Sequence, residues 1–330
     1  MAQAEPLKLV FMGTPDLAAT VLQHLLAWDG GRVLAVYCQP DRPAGRGMTL
    51  KAPPVKTLAL EHGLPVRQPL NFKNPDDVAA LRELEPDYLL VAAYGLILPK
   101  SVLAIPARYP LNVHTSLLPR YRGAAPIQRA IMNGDTETGV TIMAMEAGLD
   151  TGPVILQQPV PIGPATTAAE LHDTLAVCGG KLLITALQGL ESGKLTPSPQ
   201  DDANASYAAK LEKNDGCLDF SRPGHEIYAR ARGVTPWPGA FSVLSREGAE
   251  PLSVSILDGR PEISDSPELA SLPVGTVLPK LRDKALAVRC ADGLYLIPLL
   301  RPAGRKAMDA AAFMNGYLKG SETARFAPPE

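Results

Sequence analysis

The chain has 330 residues, 46% hydrophobic and 20% charged, the ordinary make-up of a globular protein and more than one core usually organises, so two domains are expected. No apolar run reaches membrane-spanning length, and the opening Met-Ala-Gln-Ala-Glu-Pro-Leu-Lys lacks the basic-then-apolar layout of a secretion signal; a cytoplasmic protein without a membrane partner is expected. The formal net charge of −2 argues against a generic polyanion binder but leaves room for a local basic patch.

In chain order, residues 7–12 read as a strand ending at Gly13, and Pro15 suits the first turn of a helix running to about Trp28. Residues 32–38 form a second, nearly continuous apolar strand. Segment 40–56 holds Arg42, Arg46, Lys51 and Lys56 against Asp41 alone, a local +3, and its Gly and Pro content predicts a mobile basic loop. A short strand over 64–68, a helix over 75–84, a fully buried strand over 87–93, a strand over 111–115 and a helix over 125–133 follow. Strands separated by helices predict a largely parallel, Rossmann-like α/β sheet. Residues 140–145 and 154–160 read as an antiparallel pair joined across the Asp150 turn, before a long helix over 167–190.

Residues 193–206 are polar and Pro-rich and read as a linker, which divides the chain into domains 1–192 and 207–330. Beyond the linker come a helix over 224–232, short β-type runs at 239–244, 252–257, 275–278, 285–290 and 294–299, and a last helix over 309–318. Five short strands with Gly, Pro and Asp between them predict a small OB-like β-barrel. The opening strand–loop–helix does not carry GxGxxG, since Gly13-Thr14-Pro15-Asp16 lacks the second and third glycines, so neither a nicotinamide nor a flavin is expected. Cys38, Cys178, Cys217 and Cys290 form no CxxC and the five histidines are scattered; free thiols and no metal are expected.

Asn112 and His114 stand two apart in Leu-Asn-Val-His-Thr-Ser, and positions two apart on a strand share a face. Acyl transfer to an amine passes through a tetrahedral state bearing an oxyanion, and each fixed donor aimed at it contributes on the order of 3 kcal/mol. Asn112 offers an amide N–H, a protonated His114 a second donor, and Asp150 a carboxylate able to orient the ring and accept the amine's proton. A neutral amine is already a nucleophile, and Thr115 and Ser116 lack a GxSxG elbow, so no covalent enzyme intermediate is expected. On these residues alone an alternative stays open, in which Asn-x-His satisfies turn backbone groups and Asp150 caps a turn. Arg120 and Arg122 read as solvated surface residues.

The run Ser116-Leu117-Leu118-Pro119-Arg120-Tyr121-Arg122-Gly123 after Asn-Val-His, with Gly139-Val-Thr-Ile-Met and Gly148-Leu-Asp-Thr-Gly-Pro, resembles the 10-formyltetrahydrofolate formyltransferase superfamily. Phe11-Met-Gly-Thr-Pro15, Gln39-Pro-Asp-Arg-Pro43 with Gly45-Arg-Gly47, Ala93-Tyr-Gly-Leu-Ile97-Leu-Pro99, Ser206-Tyr207-Ala208 through Lys210, and Trp237-Pro-Gly239-Ala narrow the resemblance to the branch that formylates methionine on initiator tRNA. The resemblance spans nearly the whole chain. It implies the catalytic asparagine, histidine and aspartate roles for Asn112, His114 and Asp150. It also implies folate contacts from Ser116, Leu117, Leu118 and Pro119, and a pterin pocket lined by Tyr94, Gly95, Leu96, Ile97 and Leu98. The basic loop with Arg42, Arg46 and Lys51 would reach the acceptor end of initiator methionyl-tRNA, and the OB-type domain would grip the acceptor arm. The implied co-substrate is 10-formyltetrahydrofolate, without a metal, on a monomer. The rival readings are a formylfolate enzyme acting on a small amine (glycinamide ribonucleotide or an amino sugar), a folate hydrolase domain, and a catalytically silent tRNA-binding protein. The second domain and the basic loop speak against the glycinamide enzyme, and the intact trio against the silent protein.

Overall fold

The computed structural model describes residues 5–44, 49–319 and 323–328; Arg46 lies outside the described residues. The chain divides into two compact units. The first comprises Met1–Pro126, Glu137–Pro161 and Glu170–Ala209; the second comprises Ile127–Thr136, Ile162–Ala169 and Lys210–Glu330.

The first unit is built on a seven-stranded sheet of β1 (Leu7–Gly13), β2 (Gly31–Tyr37), β3 (Val66–Arg67), β4 (Tyr88–Ala92), β5 (Tyr109–His114), β6 (Glu137–Ala144) and β7 (Val154–Pro161). Its order is β7-β6-β5-β4-β1-β2-β3. The pairings from β3 through β5 are parallel, and β5–β6 and β6–β7 are antiparallel. All five residues of β4 are buried, which is why its sequence is an unbroken apolar run rather than an alternating one. Helix α1 (Asp16–Leu26) follows β1, with Asp16 at its positive end and Leu17, Ala18, Val21, Leu22 and Leu25 turned to the sheet. Gly13 lets this turn close, since a Cβ there would lie 2.5 Å from the Ala18 Cβ and 2.8 Å from the Ala92 carbonyl oxygen. Because the chain runs outward from β1 through β2 to β3 and then returns to β4 on β1's other side, the strand order reverses at the carboxyl ends of β1 and β4. Open α/β sheets bind their ligands in that crevice.

Two segments depart from expectation. Where an irregular basic loop was expected, the described residues Arg42–Ala44 and Thr49–Lys51 pair antiparallel with Arg42 opposite Lys51. Helix α2 (Pro54–Glu61) follows, with Pro53 at its cap and Pro54 at its first turn, positions where a missing N–H costs nothing. Residues 193–206, expected as a linker, are hydrogen-bonded into the first unit. Ser198 and Val154 exchange backbone bonds of 2.8 Å, the Arg122 N–H donates to the Ser206 carbonyl at 2.8 Å, and Tyr207–Ala208 pairs in parallel with Arg122–Gly123.

The second unit contains an antiparallel sheet of β8 (Phe241–Arg246), β9 (Ala249–Ile263), β10 (Leu286–Cys290), β11 (Gly293–Pro302) and β12 (Ala324–Ala327), in the order β10-β11-β9-β8-β12, with Met308–Asp309 added on β11. Its two edges are bridged through the chain at 276–277, where Val277 pairs with Val288 and Thr276 with Arg325, so the barrel nearly closes. Those two bridges stand where a strand over 275–278 was expected. The register of β9 against β11 shifts between Ile256 and Asp258 and again between Asp258 and Arg260, bending this 15-residue strand around the barrel. The interior packs Phe220, Ile227, Leu244, Val254, Val288, Tyr295, Ile297, Phe313 and Phe326. Helix α3 (Gly224–Gly233) lies in the same unit as 127–136 and 162–169: Gly233 leaves no room for a Cβ beside Met132, and Arg232 donates to the Thr166 carbonyl at 2.7 Å. No helix among the described residues is long and apolar enough to cross a membrane.

Candidate active site

Strand β5 is central and ends at the sheet's carboxyl edge, so its alternation delivers Asn112 and His114 to one face. His114 is 5% exposed. Its Nε2 lies 2.9 Å from the Tyr121 carbonyl oxygen, which can only accept, so Nε2 carries a proton. The other ring nitrogen, Nδ1, faces the Asp150 carboxylate at 3.7 Å, an ion-pair distance longer than a hydrogen bond. Asp150 sits at φ +52°, a left-handed backbone that Asp tolerates better than most residues, and its Oδ2 accepts the Gly123 N–H at 2.8 Å. Gly123 itself adopts φ +117°, against the Ala208 carbonyl. The structure thus brings His114 and Asp150 together from 36 positions apart in sequence. Half-buried Asn112, two residues before His114 on the strand, has an amide with no hydrogen-bond partner among the described residues.

The Ser-Leu-Leu-Pro run leaves the end of β5 and is held by Thr141 of β6. The Thr141 hydroxyl donates to the Ser116 carbonyl (2.7 Å) and accepts from the Leu118 N–H (3.1 Å) and from Gln157 Nε2 (2.9 Å). Gln157 also donates to the Leu118 carbonyl at 2.8 Å. Ser116 is fully buried and donates its hydroxyl to the Arg120 carbonyl at 2.6 Å. Leu118 is buried, whereas Leu117 and Pro119 keep part of their surface open.

Arg122 corrects the reading of a solvated residue: it is 3% exposed. Its guanidinium donates to Asp202 Oδ1 at 2.6 Å and, through Nε and Nη2, to Gln200 Oε1 at 3.1 and 2.9 Å. Burial works against its charge, but Asp202 and the Tyr207 hydroxyl outweigh it and hold the guanidinium above its ordinary value. Arg120 is exposed, as expected, and lies over the Tyr121 ring at 5.1 Å.

The loop after β4 begins at the order reversal. Tyr94 and Leu98 turn into the core with Val10, Met12, Tyr37 and Phe72, and burial pushes the Tyr94 phenol well up. What the loop offers outward is the backbone around Gly95 (φ +81°), part of Leu96, and Ile97 at 93% exposure. The Tyr94 carbonyl already accepts the Thr14 hydroxyl at 2.8 Å. On the basic ribbon, Arg42 and Lys51 are both exposed, and Arg42 donates to the neutral Gln39 side chain at 2.9 Å. Lys56 is engaged by Asp41 at 2.8 Å. All four cysteines are free, and burial pushes Cys38 and Cys290 up to about 11, which disfavours the nucleophilic thiolate. Among the described residues no group of His, Cys, Asp and Glu could hold a metal ion.

Residues 7–187 match the family model described as formyl transferase, more than half of the chain, and residues 210–318 match that of the formyl transferase C-terminal domain. The chain belongs to the formyl transferase family. It is 54% identical over 322 residues, covering 98% of this chain and 96% of its relative, to the methionyl-tRNA formyltransferase of Nitratidesulfovibrio vulgaris strain DP4. Its fold is that of solved structures of much lower identity. The N-formyltransferase from Helicobacter canadensis in complex with folinic acid and dTDP-3-aminofucose has a TM-score of 0.63 at 18% identity, covering 88% of this chain and 98% of that one. HypX from Aquifex aeolicus in complex with tetrahydrofolic acid has a TM-score of 0.60 at 19% identity, covering 96% of this chain and 48% of that one.

Proposed function

We propose that this formyl transferase moves the formyl group of 10-formyltetrahydrofolate to the α-amine of methionine esterified to initiator tRNA. The observation that carries the reading is the 54% identity to a methionyl-tRNA formyltransferase across 98% of the chain. The site geometry supports it. The bound formylfolate supplies a carbonyl carbon open to amine attack. The unpartnered Asn112 amide donates to the oxygen that becomes negative as the amine adds. His114, pinned through Nε2 to Tyr121, keeps Nδ1 available for a proton beside Asp150, and Asp150 takes the proton the amine loses. The tetrahedral adduct then collapses, the bond from the formyl carbon to N10 breaks, and N10 takes up a proton as tetrahydrofolate leaves.

The crevice between the ends of β1 and β4 suits a flat hydrogen-bonding ring. Backbone groups at Gly95 and Leu96 can pair with it, and Leu96 and Ile97 give apolar walls. In this reading Tyr94 and Leu98 support the pocket from the core side, and Ser116, Leu117, Leu118 and Pro119 border it. Arg42, Arg46 and Lys51 contact tRNA phosphates, which position the acceptor end without reading bases. The OB-like second unit binds the acceptor arm.

The test is a formyl-transfer assay offering initiator methionyl-tRNA, free methionine and an amino-sugar nucleotide to the full chain. Transfer to the aminoacyl-tRNA with little to the small amines is expected. Comparable turnover of a small amine overturns the acceptor, and no transfer to any of the three overturns the reaction.

A further inference from the structure

The side chain of Gln200 spans the turn that carries Asp150. Its Nε2 donates to the Asp150 carbonyl at 2.8 Å and to the Gly152 carbonyl at 2.7 Å. Its Oε1 accepts both the Nε and Nη2 bonds of the buried Arg122, which is also held by Asp202 and the Tyr207 hydroxyl. The orientation of the amide is dictated by chemistry: a guanidinium has no acceptor and a carbonyl no donor, so only one flip satisfies both sides. Both amide protons and both oxygen lone pairs are then in use. The turn being held needs holding, because Asp150 stands at φ +52° and a left-handed non-glycine residue persists only where its surroundings over-determine it. On the other side of the same carboxylate, Gly123 N–H fixes Oδ2, and Gly123 is the residue after Arg122. Gln200, seated on Arg122, therefore holds the Asp150 backbone, and Gly123, next to Arg122 in the chain, holds its carboxylate.

We infer that Gln200 is the positioning residue that sets the Asp150 carboxylate against His114, resting on the reading of Asp150 as the proton acceptor. Gln200 lies in the stretch whose composition resembles a linker, and it touches no group assigned to the reaction except through the backbone of residues 150 and 152. Its effect is expected on the rate of the chemical step and not on substrate affinity, since a displacement of about 1 Å at a proton acceptor costs on the order of 100-fold.

Gln200→Ala, Gln200→Glu and Asp150→Asn are compared in the full chain by single-turnover formyl transfer and by KM for formylfolate and for methionyl-tRNA, at temperatures where circular dichroism shows each folded. Gln200→Glu keeps the volume and the acceptor for Arg122 but sets oxygen against two carbonyl oxygens, so it isolates the donor function. Both Gln200 variants are expected to lose roughly 10- to 100-fold in transfer rate with either KM changed less than about 2-fold. If Gln200 served only to seat Arg122, Gln200→Glu would transfer at nearly the parent rate, and that result overturns the inference. A loss confined to KM overturns it as well. The parallel variant separates the two claims. A fully active Asp150→Asn sinks the reading of the site itself, whereas a slow Asp150→Asn beside normal Gln200 variants sinks the positioning role alone.

Discussion

The surroundings of Asp150 and the ribbon at 42–51 are both polar, and they are organised in opposite ways. Around Asp150, the His114 ring, the Asp150 carboxylate, the Gln200 amide and the Arg122 guanidinium each have named partners, mostly between 2.6 and 3.1 Å. The exception is the Asn112 amide. On the ribbon, Arg42 and Lys51 face each other across an antiparallel pair, exposed, with a neutral glutamine the partner of the first. Buried and saturated groups hold a geometry, as the transfer of a proton requires. Exposed cations keep their charge available to a polyanion, as electrostatic capture requires. A single open donor in an otherwise filled network is the arrangement expected of an oxyanion site.

The largest effect should come from the filled side. Asn112→Ala and Asp150→Asn are each expected to slow single-turnover transfer by at least about 100-fold while formylfolate binding holds. Unchanged rates for Asp150→Asn would mean that the saturated network serves the fold alone, and unchanged rates for Asn112→Ala that the open amide is no oxyanion donor. Next, Arg122→Leu removes charge-assisted hydrogen bonds from a buried position and should cost roughly 2–4 kcal/mol in urea unfolding. A cost within about 0.5 kcal/mol would show Arg122 no different from a surface cation.

The open side should respond differently. Arg42→Ala and Lys51→Ala are each expected to raise KM for tRNA several-fold and to flatten its salt dependence by about one unit of slope, leaving stability within about 0.5 kcal/mol. Equal effects on folate and tRNA would erase the contrast. The smallest effect lies in the second unit, where Asp215 is saturated and has no part in the proposed chemistry. Burial pushes its carboxyl up, but the paired bonds from Arg129 at 2.7 and 2.9 Å and the Glu212 N–H outweigh it and hold it below the usual carboxylate range. A lowered folded value gives stability that is complete above the ordinary carboxylate pKa and lost as pH falls through the folded one. Asp215→Asn should therefore flatten the acid limb of the urea midpoint without altering transfer at neutral pH. A steeper limb would contradict that pairing.

Much of this was legible in the sequence, and what was not has physical reasons. Apolar runs located the sheet strands because burial on both faces leaves a continuous signal, as in Tyr88–Ala92. The i, i+2 spacing of Asn112 and His114 survives because a strand end is rigid. The pairing of Arg42–Ala44 with Thr49–Lys51 was hidden by Pro and Gly, which mark turns equally well in loops and in short edge pairs. The strand Ala324–Ala327 is four residues long and pairs with residues some 80 positions away. Gln200 and Arg122 were invisible for a related reason: their contacts with each other and with Asp202 span 78 and 80 residues, and no local pattern records a partner so distant. Tyr94 is the converse case, an aromatic in a motif whose ring packs in the core.

The interleaving of the two units bears on how the chain can be dissected. Residues 127–136 and 162–169 precede the Pro-rich stretch in sequence, yet they pack with the second unit, as Met132 against Gly233 and the Thr166 carbonyl on Arg232 attest. A gene cut at residue 206 would therefore not yield two modules. The upstream fragment would present surface shaped for a missing partner, and the downstream fragment would lack part of its own body. Shuffling or fusing these halves requires carrying those two insertions along with the barrel.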